Sequence, residues 1–195
     1  MLSKRFFFFL PVANAHCDTA EGPAVIDGRR TLDSGEIGYA LKWIPASDEP
    51  ELKRLFNKVM DVRRLSPEAA EVADRLFLET LVRLHRLAEG VGFTGIKPLG
   101  AHVAPVVLEA DRAMESGDLS VVLQLTPTHR HEELIRRFDH ARSKREFDVA
   151  DVASGRDYIS AYVSFFKFAE GEEHDQGHHP QSHHADLRHE ASAHH

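Results

Sequence analysis

Cys17 is the only cysteine in 195 residues, and it stands between His16 and Asp18 directly after Ala13-Asn14-Ala15. Cleavage after Ala15 would make His16 the new N-terminus. An α-amine, an imidazole, a thiolate and a carboxylate would then lie within three residues. Nitrogen and thiolate donors suit nickel, copper and zinc; square-planar or tetragonal N/S ligation points to nickel or copper first, with zinc third. Calcium and magnesium would want a cage of oxygens instead. A lone cysteine cannot close an internal disulfide, so Cys17 is a free thiol, one end of an intermolecular bridge, or a metal ligand.

A second imidazole sits in the helical run Phe77–Glu89. His85 follows Leu78 by seven residues and Leu81 by four, so it shares their apolar face, and Glu89 comes one turn later on nearly the same side. Such a histidine is either a core residue bonded to Glu89 or a further ligand whose ring Glu89 orients. The candidate metal set is therefore His16, Cys17, Asp18, His85 and Glu89. Glu79 projects about 120° away from His85 around the helix, so it is expected to pair with Arg75 or Arg83. His129 and His131 diverge at i, i+2 and read as a solvated turn at a helix start.

A third group of donors fills the end of the chain. His174, His178, His179, His183, His184, His189, His194 and His195 put eight of the fourteen histidines after residue 171. That stretch has almost no apolar content, so disorder is expected, with weak uptake of nickel, copper, zinc or cobalt by its imidazoles.

The elements that must position these groups read as helical nearly throughout. Lys4 and Arg5, the apolar run Phe6 to Leu10 and the A-x-A site give residues 1–15 the pattern of a signal peptide, so an exported, periplasmic or secreted protein is expected. No later stretch has the roughly 20 apolar residues of a membrane span. Loss of Lys4 and Arg5 takes the formal charge from −7 to −9, which leaves no basic footprint for nucleic acid. Helices are expected from Pro23 to Ser34, Ile37 to Ile44, Glu49 to Arg64 and Pro67 to Glu89. The last should bury Val72, Leu76, Leu81, Leu84 and Leu87.

The pattern then repeats. Shifted by 82 residues, Pro23 falls on Pro105, Ser34-Gly35 on Ser116-Gly117, Leu41 on Leu123, Pro45 on Pro127 and Phe56 on Phe138. At an offset of 81, His85 falls on Phe166 and Ala88-Glu89-Gly90 on Ala169-Glu170-Gly171. The expected architecture is all-α, a duplicated unit of about four helices forming one pseudo-twofold bundle over residues 16–171. Repeat 1 spans about 22–90, a Gly- and Pro-rich linker 91–103, and repeat 2 about 104–171, with the long helices central.

His16-Cys17-Asp18-Thr19-Ala20-Glu21-Gly22-Pro23, Leu41-x-Trp43-x-Pro45, Phe77-x-Glu79-Thr80-Leu81-Val82-Arg83-x-His85 and Thr94-Gly95-x-Lys97-Pro98 together resemble an uncharacterised bacterial and archaeal family, domain of unknown function 6448. The resemblance covers about Ala15 to Ala169 and implies a helical two-repeat domain without supplying an activity. A narrower similarity is to the hook of nickel superoxide dismutase, which also opens His-Cys-Asp on an all-helical protein. It implies nickel ligation by His16 and Cys17, but the hook's second cysteine falls on Glu21 here.

No G-x-S-x-G, H-E-x-x-H, Walker or dinucleotide pattern occurs. The expected function is an exported transition-metal-binding protein, with the His-rich tail as a metal buffer. The alternatives are a redox metalloenzyme of superoxide-dismutase type at the same site and a metal-independent helical interaction module. Oligomeric state and protein partners leave no mark in the sequence.

Overall fold

Pro23 supplies the fixed φ that starts helix α1 (Pro23–Ser34), and Gly35, at φ 78°, ends it with its N–H on the Thr31 carbonyl. The computed structural model describes residues 16–100 and 103–171. Residues 1–15, expected from their pattern to be a signal peptide, and the His-rich tail fall outside the described residues. After α1 come α2 (Gly38–Leu41), α3 (Glu49–Val62), α4 (Pro67–Ala88), α5 (Pro105–Ser116), α6 (Ser120–Leu125), α7 (His131–Ser143) and α8 (Val152–Glu170). The fold is all-helical among the described residues; its one β-type pairing is an isolated parallel bridge between Thr19 and Lys97.

Helix α2 is shorter than the expected Ile37–Ile44 span, because the chain tightens into turns through Ile44 before Pro45. Helix α4 opens as expected, with Ser66 Oγ accepting from the Ala69 N–H. Its buried face differs from the expected one. Leu81 and Leu84 are buried, but Val72, Leu76 and Leu87 are exposed. The inward stripe is instead Ala73, Phe77, Leu81 and His85, flanked by Leu78, Val82 and Arg86. Steps of four residues keep one face inward, whereas the five-residue step from Leu76 to Leu81 joins two different faces.

Helix α1 packs on α2 and α4, and α3 lies on α4. Further along the chain α5 packs on α6, α7 and α8, and α7 packs on α8. Gly28 lets α1 approach α4 closely, since a Cβ there would stand 2.6 Å from Leu78 Cδ2. Phe77, Leu81 and Val82 of α4 and Phe165 of α8 are among the most deeply buried side chains. The two groups of helices meet where α2 touches α8 and through side chains between α4 and α8.

Arg156 of α8 is a main tie between them. Its guanidinium donates to the Ile44 carbonyl at 2.8 Å and to Glu49 Oε1 at 2.5 Å. Arg156→Met should cost about 2 kcal/mol, the scale of charge-assisted hydrogen bonds lost from a half-buried site. The hydrogen bonds from Lys53 and Arg156 hold the Glu49 carboxyl below its ordinary range. A depressed carboxyl stabilises the fold above its unfolded pKa and ceases to do so as pH falls through its folded value. The gap between wild type and Arg156→Met in urea unfolding should therefore be larger at pH 7 than at pH 3.

Candidate functional site

The His16-Cys17-Asp18 stretch forms a buried 3-10 turn against α1. The Thr19 N–H and hydroxyl both donate to the His16 carbonyl, at 3.3 and 3.1 Å. From the linker, the Lys97 N–H donates to the Asp18 carbonyl at 2.8 Å, and the Lys97 carbonyl accepts from the Ala20 N–H at 2.9 Å. Thr94-Gly95-Ile96-Lys97-Pro98, read from sequence as loop, thus clamps the turn by its backbone.

His16 is 4% exposed and Cys17 3%. The His16 ring donates Nε2–H to Asp111 Oδ2 at 2.7 Å and lies edge-on to Phe166, while Nδ1 is buried with no hydrogen-bond partner. Asp111 Oδ1 accepts from the Tyr162 hydroxyl at 2.5 Å. A carboxylate therefore fixes the ring from one side and leaves the other nitrogen open.

His85 repeats that arrangement from the opposite element. Its Nδ1–H donates to the Trp43 carbonyl at 2.9 Å, and Nε2 is buried without a hydrogen-bond partner. Burial lowers the His85 pKa, against the opposing pull of Glu89, so the ring is neutral and Nε2 carries a lone pair. The expected bond to Glu89 is absent as such, because Glu89 Oε2 stands 3.7 Å from Nε2. Glu89 instead contacts Arg86 Nη1 at 3.1 Å and Lys167 Nζ at 3.0 Å. Burial pushes its carboxyl up, but His85, Lys167 and Arg86 together hold it below the ordinary range.

Cys17 lies within the fields of Glu89, Asp111, Arg86 and Lys167. Burial first, then the carboxylates of Glu89 and Asp111, pushes its thiol well above the usual range, so the group is an S–H at neutral pH. That is the wrong state for a nucleophile. Asp18 Oδ2 faces Arg86 Nε at 3.8 Å, its Oδ1 has no hydrogen-bond partner, and burial raises its pKa.

His16, Cys17, Asp18, His85 and Glu89 thus share one buried neighbourhood. Among the described residues, no three His, Cys, Asp or Glu side chains already converge as a ready-made cage for one ion. Glu79 pairs with Arg75 at 2.8 Å and is remote from this cluster in role, while Arg83 turns to Glu51. His129 is exposed in a 3-10 turn, and half-buried His131 contacts the Thr126 carbonyl at 3.0 Å. The tail histidines lie outside the described residues.

Sequence reasoning missed Asp111, Tyr162, Arg86, Lys167 and the orienting carbonyl of Trp43. Asp111 carried a readable signal: it follows Val107 by four residues and precedes Met114 by three, which places a carboxylate on an apolar stripe. Asp111 and Tyr162 also line a cleft of about 440 Å³, so the buried cluster borders an opening to solvent.

Comparison with curated proteins and with solved structures found no match. The profile of a family of unknown function (DUF6448) matches residues 21–168, a span that begins just after the His16–Asp18 turn and includes Trp43, His85, Glu89, Asp111 and Tyr162. The chain belongs to that family of unknown function.

Proposed function

We propose that this protein is an exported transition-metal-binding protein whose ordered site is the buried cluster around His16, Cys17 and His85. One observation carries the reading: two buried imidazoles each give one ring N–H to a fixed acceptor and leave the other nitrogen without a hydrogen-bond partner, and a buried free thiol, Cys17, follows His16 in the same turn. A metal-ligating histidine is oriented this way, its second nitrogen held by a carboxylate or a backbone carbonyl. An unpaired buried nitrogen is costly, and a bound cation removes the cost. His16 Nδ1, His85 Nε2 and the Cys17 sulfur would hold the ion, with Asp18 Oδ1 and the Glu89 carboxylate as oxygen donors within the cluster. Nickel and copper fit this donor set before zinc. The ion would supply positive charge that reverses the local preference for an S–H, so binding releases the Cys17 proton.

The His-rich tail serves as a weak reservoir for the same ions, and the signal-like N-terminus takes the protein to the periplasm or outside the cell. We read the two helix sets as an internal duplication about a pseudo-twofold axis. The matched caps support it: Gly35 and Gly117 both adopt left-handed φ and bond back to the carbonyls of Thr31 and Ala113. Ser34 and Ser116 each donate to the carbonyl four residues earlier. In this reading His85 and Phe166 occupy equivalent positions, and one half has acquired a ligand where the other keeps an apolar ring.

The test is metal content and titration of protein ending at Gly171, so that the tail contributes nothing. One nickel or copper ion per chain, lost in Cys17→Ala, is expected. Proton release and an affinity that rises with pH should accompany uptake, because the ion competes with a proton for sulfur. Stoichiometric binding that survives Cys17→Ala, or a core that takes up no metal, would sink the reading.

A further inference from the structure

The cleft beside the buried cluster has two charged ends separated by aromatic rings. At one end stands Lys42, 9% exposed, whose Nζ contacts Asp27 Oδ2 at 2.9 Å. That same oxygen also accepts the Trp43 indole N–H at 2.8 Å. An ammonium has three donors, and the other surroundings of Nζ are the rings of Phe147, Tyr39 and Tyr158, with centroids 5.4, 5.9 and 5.9 Å away. Arg30 lies over Tyr39 on the same wall, so two cations stand beside Asp27, and Glu21 also lines the cleft.

At the other end lie Asp111 and Glu115, with the Arg145 guanidinium turned onto the carbonyls of Met114 and Glu115. Between the poles stand Tyr158 and Tyr162, their ring centroids 6.1 Å apart. A cleft of about 440 Å³ is in the range of small-molecule sites, and a few polar groups in an aromatic wall are how such sites fix a ligand.

We propose that this cleft binds a small zwitterionic amino-carboxylate with a flat apolar body. Its carboxylate takes the spare donors of Lys42 and Arg30, the body lies along Tyr158, and its ammonium faces Asp111. A carboxylate alone would bring no cation to the part-exposed Asp111 and the exposed Glu115, which outnumber Arg145 at that end, and an amine alone would leave Lys42 without a second acceptor. Ligand held this way sits next to the His16–Asp111–Tyr162 contacts, so the cleft delivers an organic molecule to the edge of the buried cluster. The proposal concerns the cleft alone and holds with or without a metal below it.

Trp43 is the only tryptophan in the chain and lines the cleft, so its emission reports occupancy directly. The experiment is a fluorescence titration of the full-length, chelator-stripped protein with 4-(aminomethyl)benzoate, benzoate and benzylamine. Saturable change with the first, at least about ten-fold tighter than with either half-molecule, is expected from a second charge-assisted contact. The double variant Lys42→Met/Asp27→Asn, which removes both members of the ion pair and strands neither, should weaken the zwitterion by about ten-fold or more. Arg30→Gln, at an exposed rim position where folding is not at stake, should weaken it by about three-fold. No saturable change, benzylamine binding as tightly as the zwitterion, or unchanged affinity in Arg30→Gln and a folded double variant would each overturn the proposal. Because metal is removed beforehand, none of these outcomes bears on the metal reading, which the titration of the tail-less protein decides separately.

Discussion

His85→Gln, in protein ending at Gly171, is expected to weaken nickel or copper binding by more than about 100-fold, and Asp111→Asn by about 10- to 100-fold. The order of the two effects matters more than either size. Glutamine sets its amide near the place of the unpaired Nε2, and an amide nitrogen has no lone pair to donate, while the Trp43 carbonyl, now bonded by His85 Nδ1 at 2.9 Å, loses that donor. What it takes away is the ring's lone pair and one hydrogen bond. Asparagine at 111 keeps the shape of the carboxylate but weakens its hold on His16 Nε2–H, so the ligand stays and its basicity and orientation suffer. Asp111→Asn should also cost about 1–3 kcal/mol of stability, because His16 and Tyr162 both donate to that carboxylate. Competition titration with a chromophoric chelator gives the affinities, and urea unfolding of the metal-free proteins gives the stabilities. An Asp111→Asn loss larger than that of His85→Gln, or wild-type affinity in both, contradicts the assignment of His85 Nε2 as a donor.

That ordering also marks how much of the site could be read from the chain. His16, Cys17 and Asp18 are adjacent, and His85 and Glu89 are one helical turn apart, so local spacing was enough to nominate both groups. Their joint burial was beyond it. The contact that brings α5 to the turn runs through Asp111, and the one that brings the segment after α2 to His85 is the Trp43 backbone carbonyl, which has no sequence signature at all. The helices themselves were legible wherever Pro, Gly or Ser punctuated them, as at Pro23, Gly35 and Ser66. The inward face of α4 was not, because its leucines lie on both sides and only packing selects Phe77 and Leu81 over Leu76 and Leu87. Glu89 shows the same limit in charge. Sequence offered one partner for it, and the fold supplies Lys167 from α8 as well.

Gly22→Ala should open the site without replacing any candidate ligand. Gly22 precedes α1 at φ −72°, a conformation that alanine adopts freely, so the obstacle is space alone. A Cβ there would press on the His16 carbonyl oxygen and lie 2.9 Å from the Cys17 carbonyl oxygen. Both atoms are backbone, so no rotamer change relieves the clash, and the turn has to shift away from α1. Overpacking of this kind costs about 1–3 kcal/mol. If the shift is local, that cost raises the open fraction of the turn roughly 5- to 150-fold. Cys17, 3% exposed in the closed turn, is its own reporter. Native-state labelling with a thiol reagent should accelerate by that factor, and metal affinity in the tail-less protein should fall in step. Gly35→Ala is the control. It places a left-handed residue at φ 78° where a Cβ meets nothing, so it should cost about 1 kcal/mol through backbone conformation while Cys17 labels as slowly as in wild type. Equal labelling rates in Gly22→Ala and wild type would mean that the turn tolerates displacement without exposing its thiol. The close fit of Gly22 would then be a feature of the α1 start alone.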